Sequence, residues 1–140
     1  MDQQQLKNKV LDILDHHKIG SLATVESGKP HSRYMTFFHD GLTLYTPTSD
    51  ETHKAEEIDN NPNVHVLLGY NGEGLGDAYL EITGTAKLNH SKDLKDKIWD
   101  ERLEQWFDGK DDPNLTVLEI EPSEIRLMNE GESTPVTLDM

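Results

Sequence analysis

Two cations and a set of hydroxyls are spaced so that they can meet one anion. Arg33 stands in the β-like stretch HSRYMTFFH. Thr48, Ser49, Thr52 and Lys54 follow in TPTSDETHKAEEI, where a strand-like run gives way to a helical one. Ser49 or Thr52 suits a helix N-cap, its hydroxyl accepting from a backbone N–H of the first turn. Lys54 does not suit that position, because a cation in the first turn opposes the helix dipole. A bound anion would reconcile the two, since helix N-termini hold phosphate on their open N–H groups. Capping accounts for one hydroxyl. An anion site accounts for the hydroxyls and the lysine together. The stretch by itself leaves both readings open.

The elements that would position these groups can be read from the pattern. In an extended segment over 31–39, Arg33, Met35 and Phe37 share one face, and Tyr34, Thr36 and Phe38 share the other. Both faces look apolar, so the strand is expected to be covered on both sides. A covered guanidinium needs a partner, either a carboxylate or a ligand phosphate that fits its planar fork. Asp40-Gly41 is a hairpin signal that folds the strand over 42–46 back on its predecessor. The hairpin brings the segment from Thr48 to Lys54 toward Arg33.

Further strands are predicted over 19–25, 64–70, 78–88 and 115–128, the last bent or interrupted at Pro122. Helices are predicted at the start, after residue 46, and over 91–107 with room for a break in the middle. Leu6, Val10, Ile13 and Leu14 fall on one face of the first helix, and Asp2 with Gln5 forms a capping-box pattern. The glycines of NGEGLGD lie between two strands, not between strand and helix. They read as a flexible hairpin loop rather than a dinucleotide loop. Six strands with hairpin-linked neighbours predict an antiparallel sheet closed into a barrel, with flanking helices. The chain of 140 residues is read as a single domain, 1–140, with an ordered core over about 2–128 and a polar tail over 129–140.

Composition narrows the function. The chain has 13 Lys+Arg against 27 Asp+Glu, a net charge of −14. Such a surface repels nucleic acid and anionic membranes. There are no cysteines, which excludes disulfides and thiolate chemistry. The polar start and the lack of a long apolar run predict a cytoplasmic chain without a membrane span. His31 and His39 lie at opposite ends of one strand, too far apart to share an ion, and no metal site is expected.

The ordered set HSRYMTFF, TSDETHKAEEI, GTAKL and WFDGKDDPNLTVLEIEP resembles the general stress protein 26 family of pyridoxamine-phosphate-oxidase-like, FMN-binding split barrels. The likeness runs from about Ile19 to Met128. It implies a six-stranded antiparallel split barrel, mainly β, and a homodimer with FMN in a cleft at the subunit interface. Arg33 matches the arginine that meets the FMN phosphate. Thr48, Ser49, Thr52, His53 and Lys54 match the phosphate segment. Met35 and Thr36 match the strand bordering the flavin ring, and Tyr79 matches a position facing the flavin. Trp106 matches the family's WF pair near the interface. Met128 departs from the pattern, which often has an aromatic residue there. The resemblance implies an FMN-dependent oxidoreductase working with NAD(P)H or a small-molecule electron acceptor. A non-catalytic flavin-binding or sensing protein and a haem-binding barrel are the alternatives.

Overall fold

The computed structural model describes residues 1–49, 58, 60–131 and 135–140. Asp2 opens the first helix. Its carboxylate accepts from the Gln5 N–H at 2.7 Å, and the Gln5 side chain accepts from the Asp2 N–H at 2.9 Å. This reciprocal capping box starts α1, Gln3–His16. α1 buries Leu6, Val10, Ile13 and Leu14, the stripe that its helical spacing predicts.

β1 (Ile19–Glu26) and β2 (Lys29–Thr36) form a hairpin. Its turn is Ser27-Gly28, at φ 51° and 76°, where the left-handed conformation matches the strand twist. β3 (Phe38–Asp40) and β4 (Thr43–Ser49) form a second hairpin. β5 (Asn63–Leu68), β6 (Tyr79–Asn89) and β7 (Leu115–Met128) follow, all antiparallel to their neighbours. Between β6 and β7 run α2 (Lys92–Ile98) and a 3-10 helix (Glu101–Gln105). The helical stretch expected over 91–107 is thus broken at Trp99-Asp100.

The strand order is β2-β1-β5-β6-β7-β4-β3, with β8 (Val136–Leu138) on β7. β2 and β3, at the two ends of this order, are one run of chain divided only at Phe37. The sheet therefore closes on itself. With the divided run counted once, the ring comprises β1, β2/β3, β4, β7, β6 and β5, the six strands expected, and β8 is added outside it.

The single strand expected over 31–39 is thus two. At the division the Phe37 N–H donates to the Lys18 carbonyl at 2.6 Å. The Thr46 hydroxyl donates to the Thr36 carbonyl at 2.7 Å. The division lets the first half pair with β1 and the second with β4. A second correction concerns burial. β2 is exposed over Lys29–Ser32, and Tyr34 is 82% exposed, so the strand is not covered on both faces. The apolar look of its outer face does not imply cover, because no described strand lies beyond β2 on that edge.

The ring encloses Leu22, Phe37, Leu44, Val66, Leu80, Ile82, Ile120 and Ile125, and the α1 stripe packs against them. Each such side chain contributes roughly 1.5–3 kcal/mol by leaving water. β7 is continuous across Pro122 and carries a bulge there. Thr83 pairs with Glu124 and Gly84 with Pro122, leaving Ser123 extra. A Cβ at Gly84 would lie 2.5 Å from the Glu121 carbonyl oxygen, which explains the glycine. The segment read as a polar tail carries β8, whose Leu138 joins the core at 4% exposed. No helix among the described residues is long and apolar enough to cross a membrane.

Two substitutions check this frame by urea unfolding. Leu138→Ala is expected to lose about 2–4 kcal/mol, as buried leucines do; a loss below about 0.5 kcal/mol, the range of surface sites, would mean that the last strand is not part of the core. Gly84→Ala is expected to lose about 1–3 kcal/mol through overpacking against backbone that cannot yield.

Candidate functional site

The division at Phe37 opens the side of the ring. β2 leads away along β1, and β4 continues past Tyr45 beyond the reach of β3. A cavity of about 660 Å³ lies between the diverging strands. One side is Tyr34, Met35 and Thr36 of β2, with Ile19. The other is Pro47, Thr48 and Ser49 of β4. Leu103, Trp106 and Phe107 form the apolar wall, and Asn114 adds an amide.

Each wall has a local cause. Thr48 and Ser49 are strand residues, paired with Thr116 and Leu115. The strand expected to end at Thr46 runs on to Ser49, carried by its ladder with β7 and not by local propensity. Pro47 is tolerated because β4 has no β3 partner at that point.

The aromatic wall is set by the 3-10 helix. Asp100 caps it, accepting from the Arg102 N–H at 2.9 Å. The same carboxylate grips the Arg102 guanidinium through two bonds of 2.9 Å. Those bonds hold the Asp100 carboxyl down at about 2. Leu103, 1% exposed, anchors the turn in the core, and its carbonyl accepts from the N–H groups of Trp106 and Phe107 at 3.0 Å. Trp106 then stands 64% exposed at the cavity rim. Nearby, Lys97 bonds Asp40 at 2.6 Å, tying α2 to the β3–β4 hairpin and lowering the Asp40 carboxyl.

Met35, Thr36, Thr48, Ser49 and Trp106 all line this one cavity. Arg33 does not line it. Its Nη1 donates to the Thr24 hydroxyl at 2.6 Å and, at 3.5 Å, to the Leu22 carbonyl. Thr24 is buried, so Arg33 is held against the inner side of β1 next to the cavity strand. Thr52, His53 and Lys54 lie outside the described residues. Tyr79 opens onto a different groove, of about 920 Å³, beside Met128, its register partner. The Tyr79 ring packs edge-on against Tyr70, with centroids 5.8 Å apart. Ile19 and Tyr34 are common to both hollows.

Sequence reasoning assigned no site role to Tyr34, Leu103 or Asn114. Tyr34 was legible as an apolar residue on the face opposite Arg33. Leu103 and Asn114 carry no local signal, because their role comes from where the 3-10 helix and the β7 approach are packed.

The cavity's described lining bears no charge, in a chain of net charge −14. Hydroxyls and one amide oppose a wall of aromatic and aliphatic groups. Such a mixture suits a planar molecule that stacks on one side and hydrogen-bonds on the other, and the volume lies in the ~300–1,000 Å³ range of ligand pockets. Among the described residues, no group of three or more His, Asp or Glu could hold a metal ion.

The pyridoxamine 5′-phosphate oxidase family model matches residues 6–129. General stress protein 26 of Bacillus subtilis (strain 168) is 74% identical over 140 residues, covering the whole of both chains. The crystal structure of general stress protein 26 from Bacillus anthracis str. Sterne superposes with a TM-score of 0.88 at 36% identity, covering 97% of this chain and 99% of that one. A putative pyridoxamine 5′-phosphate oxidase from Listeria innocua superposes at 0.80 with 46% identity, covering 89% and 99%. The closed ring divided at Phe37 is the split barrel these relatives share, and the chain belongs to the general stress protein 26 family of pyridoxamine-5′-phosphate-oxidase-like proteins.

Proposed function

We propose that the chain is an FMN-binding flavoprotein that works as a homodimer and transfers hydride or electrons between NAD(P)H and a small-molecule acceptor. The observation that carries this reading is the convergence of Met35, Thr36, Thr48, Ser49 and Trp106 on one uncharged cavity. A flavin ring offers flat apolar faces and a polar edge, which fit the aromatic wall and the hydroxyl-bearing strands. A phosphate needs a cation, and the described lining supplies none. Arg33 beside the cavity, with Lys54, is assigned that role, and Thr52 and His53 complete the phosphate segment. Tyr79 is assigned to the dimer contact across Ile19 and Tyr34.

Bound flavin would supply the redox chemistry, and the chain would supply position and surroundings. Leu103, Trp106 and Phe107 would exclude water from one face. The hydroxyls of Thr36, Thr48 and Ser49 would orient the polar edge. Solved proteins of similar fold include a FAD-binding protein from Mesorhizobium loti, TM-score 0.70 at 18% identity, and a heme binding protein from Mycobacterium smegmatis, 0.75 at 14%. At such identity they share the fold alone. Haem iron usually takes an axial His, Cys, Met or Tyr. Among the described residues no His lines either hollow, although Met35 and Tyr34 do, so the choice of flavin rests on the mixed aromatic and hydroxyl lining.

Three measurements test the proposal. Calorimetric titration is expected to favour FMN over riboflavin, because riboflavin offers Arg33 and Lys54 nothing to bind; equal affinities would overturn the phosphate assignment. Arg33→Ala and Lys54→Ala are each expected to weaken FMN roughly ten- to hundredfold, the equivalent of a charge-assisted bond of about 1.5–3 kcal/mol, while leaving riboflavin binding nearly unchanged. Their effects should not add, since both act on one anion. Oxidation of NAD(P)H by the FMN-loaded protein would make it an enzyme; FMN binding without turnover would leave a binding or sensing role.

A further inference from the structure

The loop over 71–77 joins β5 to β6, and its glycines suggest flexibility. The structure straps it instead. The buried Asp77 carboxylate accepts from the Asn71 N–H at 2.9 Å and from the Glu73 N–H at 2.8 Å. The Asn129 side-chain amide, from just past β7, donates to the Gly74 carbonyl at 2.7 Å and to the Asp77 carbonyl at 3.1 Å. Gly72, Gly74 and Gly76 sit at φ 82–86°, so their backbone takes the turns this strap needs.

The strap presents Leu75, which is 97% exposed. Leu75 and Asn129 stand at one side of the 920 Å³ groove, with Ile19, Tyr34, Leu67, Tyr70 and Tyr79 among its other lining residues. No described residue lining this groove is charged, although 29% of the chain's residues are. Holding a leucine out in water on a fixed loop gains nothing for the monomer. A charged partner would find no counter-charge here. A second copy carries −14 as well, so contact between copies is least opposed where the facing surfaces are neutral. Projection and groove lie on the same face, so a two-fold axis lets each copy give and receive the same contact.

We propose that Leu75 anchors self-association, the Leu75 of each copy seating in the uncharged groove of the other, with Asp77 and Asn129 as the residues that position it. This rests on the dimer in the proposed function and names the element that crosses between copies. Because Ile19 and Tyr34 belong to both hollows, the seated loop of one copy also walls the candidate cavity of the other.

Sedimentation over a range of concentrations, with far-UV melts and FMN titration on the same samples, tests this. Leu75→Asp is expected to raise the dimer dissociation constant by at least about a hundredfold, since two-fold symmetry loses the contact twice. The monomer should keep the wild-type far-UV spectrum and a cooperative melt, lowered only by the loss of association. Leu75→Met, which keeps the apolar contact, should stay dimeric. Asp77→Ala, outside the groove lining, should weaken the dimer in the same direction by loosening the loop without touching Leu75. A wild-type dimer that Leu75→Asp leaves intact overturns the anchor and leaves the flavin reading standing. A dimer split by Leu75→Asp whose wild type ignores FMN keeps the anchor and overturns the flavin reading. A wild-type monomer overturns the anchor and the dimer together. If Asp77→Ala leaves the dimer constant unchanged, the positioning role fails.

Discussion

The architecture depends on one break in a strand. At Phe37 the chain stops pairing with β1 and starts pairing with β4, and two hydrogen bonds hold the crossing. The Lys18 carbonyl takes the Phe37 N–H, and the Thr36 carbonyl takes the Thr46 hydroxyl. Buried polar groups must be satisfied, so a division inside the ring is stable only if such partners are supplied. Phe37 then points inward at 2% exposed and fills the seam. Closing the sheet removes edges over most of its circumference and concentrates the opening in one place. That place is the cavity between Met35-Thr36 and Thr48-Ser49.

Charge follows the same geometry. Acidic residues dominate the surface, while the described linings of both hollows are neutral. Arg33 is the cation next to the cavity strand, held by Thr24 at 2.6 Å. That bond and the weaker one to the Leu22 carbonyl restrict its guanidinium more than that of a mobile surface arginine. The aromatic wall is fixed differently, by the Asp100–Arg102 pair and the buried Leu103. Strands therefore set the polar side of the cavity, and a short capped turn sets the apolar side.

The segments after β5 and β7 show how distant residues order loops. Asp77 gathers the backbone of Asn71 and Glu73, and Asn129 closes the far side. Past that point the chain returns as β8, and Gln3 of α1 meets Thr137 and Asp139 there. The first and last parts of the chain thus share one corner of the core.

The sequence by itself determined the features governed by near neighbours. The Asp2–Gln5 box and the leucine–valine–isoleucine stripe of α1 are spaced by helix geometry, and Asp40-Gly41 is local turn chemistry. The alternation of β1, with Leu22 and Thr24 inward, follows from the two-residue period of a strand. Arg33, the hydroxyl run and the family motifs were legible as candidates for one ligand site, and of these residues Met35, Thr36, Thr48, Ser49 and Trp106 line one cavity. What only the tertiary structure decided rests on partners far away in sequence. The split at Phe37 needs Lys18 and Thr46, and the extension of β4 through Ser49 needs β7. The strapped loop needs Asn129, and β8 needs Ile125, Arg126 and Leu127 as its ladder. Tyr79 falls into a second groove, beside Met128, because its register in the β6–β7 ladder places it there. A pattern read along the chain carries the periodicity of each strand but not the register between strands, and register decides which side chains share a cavity.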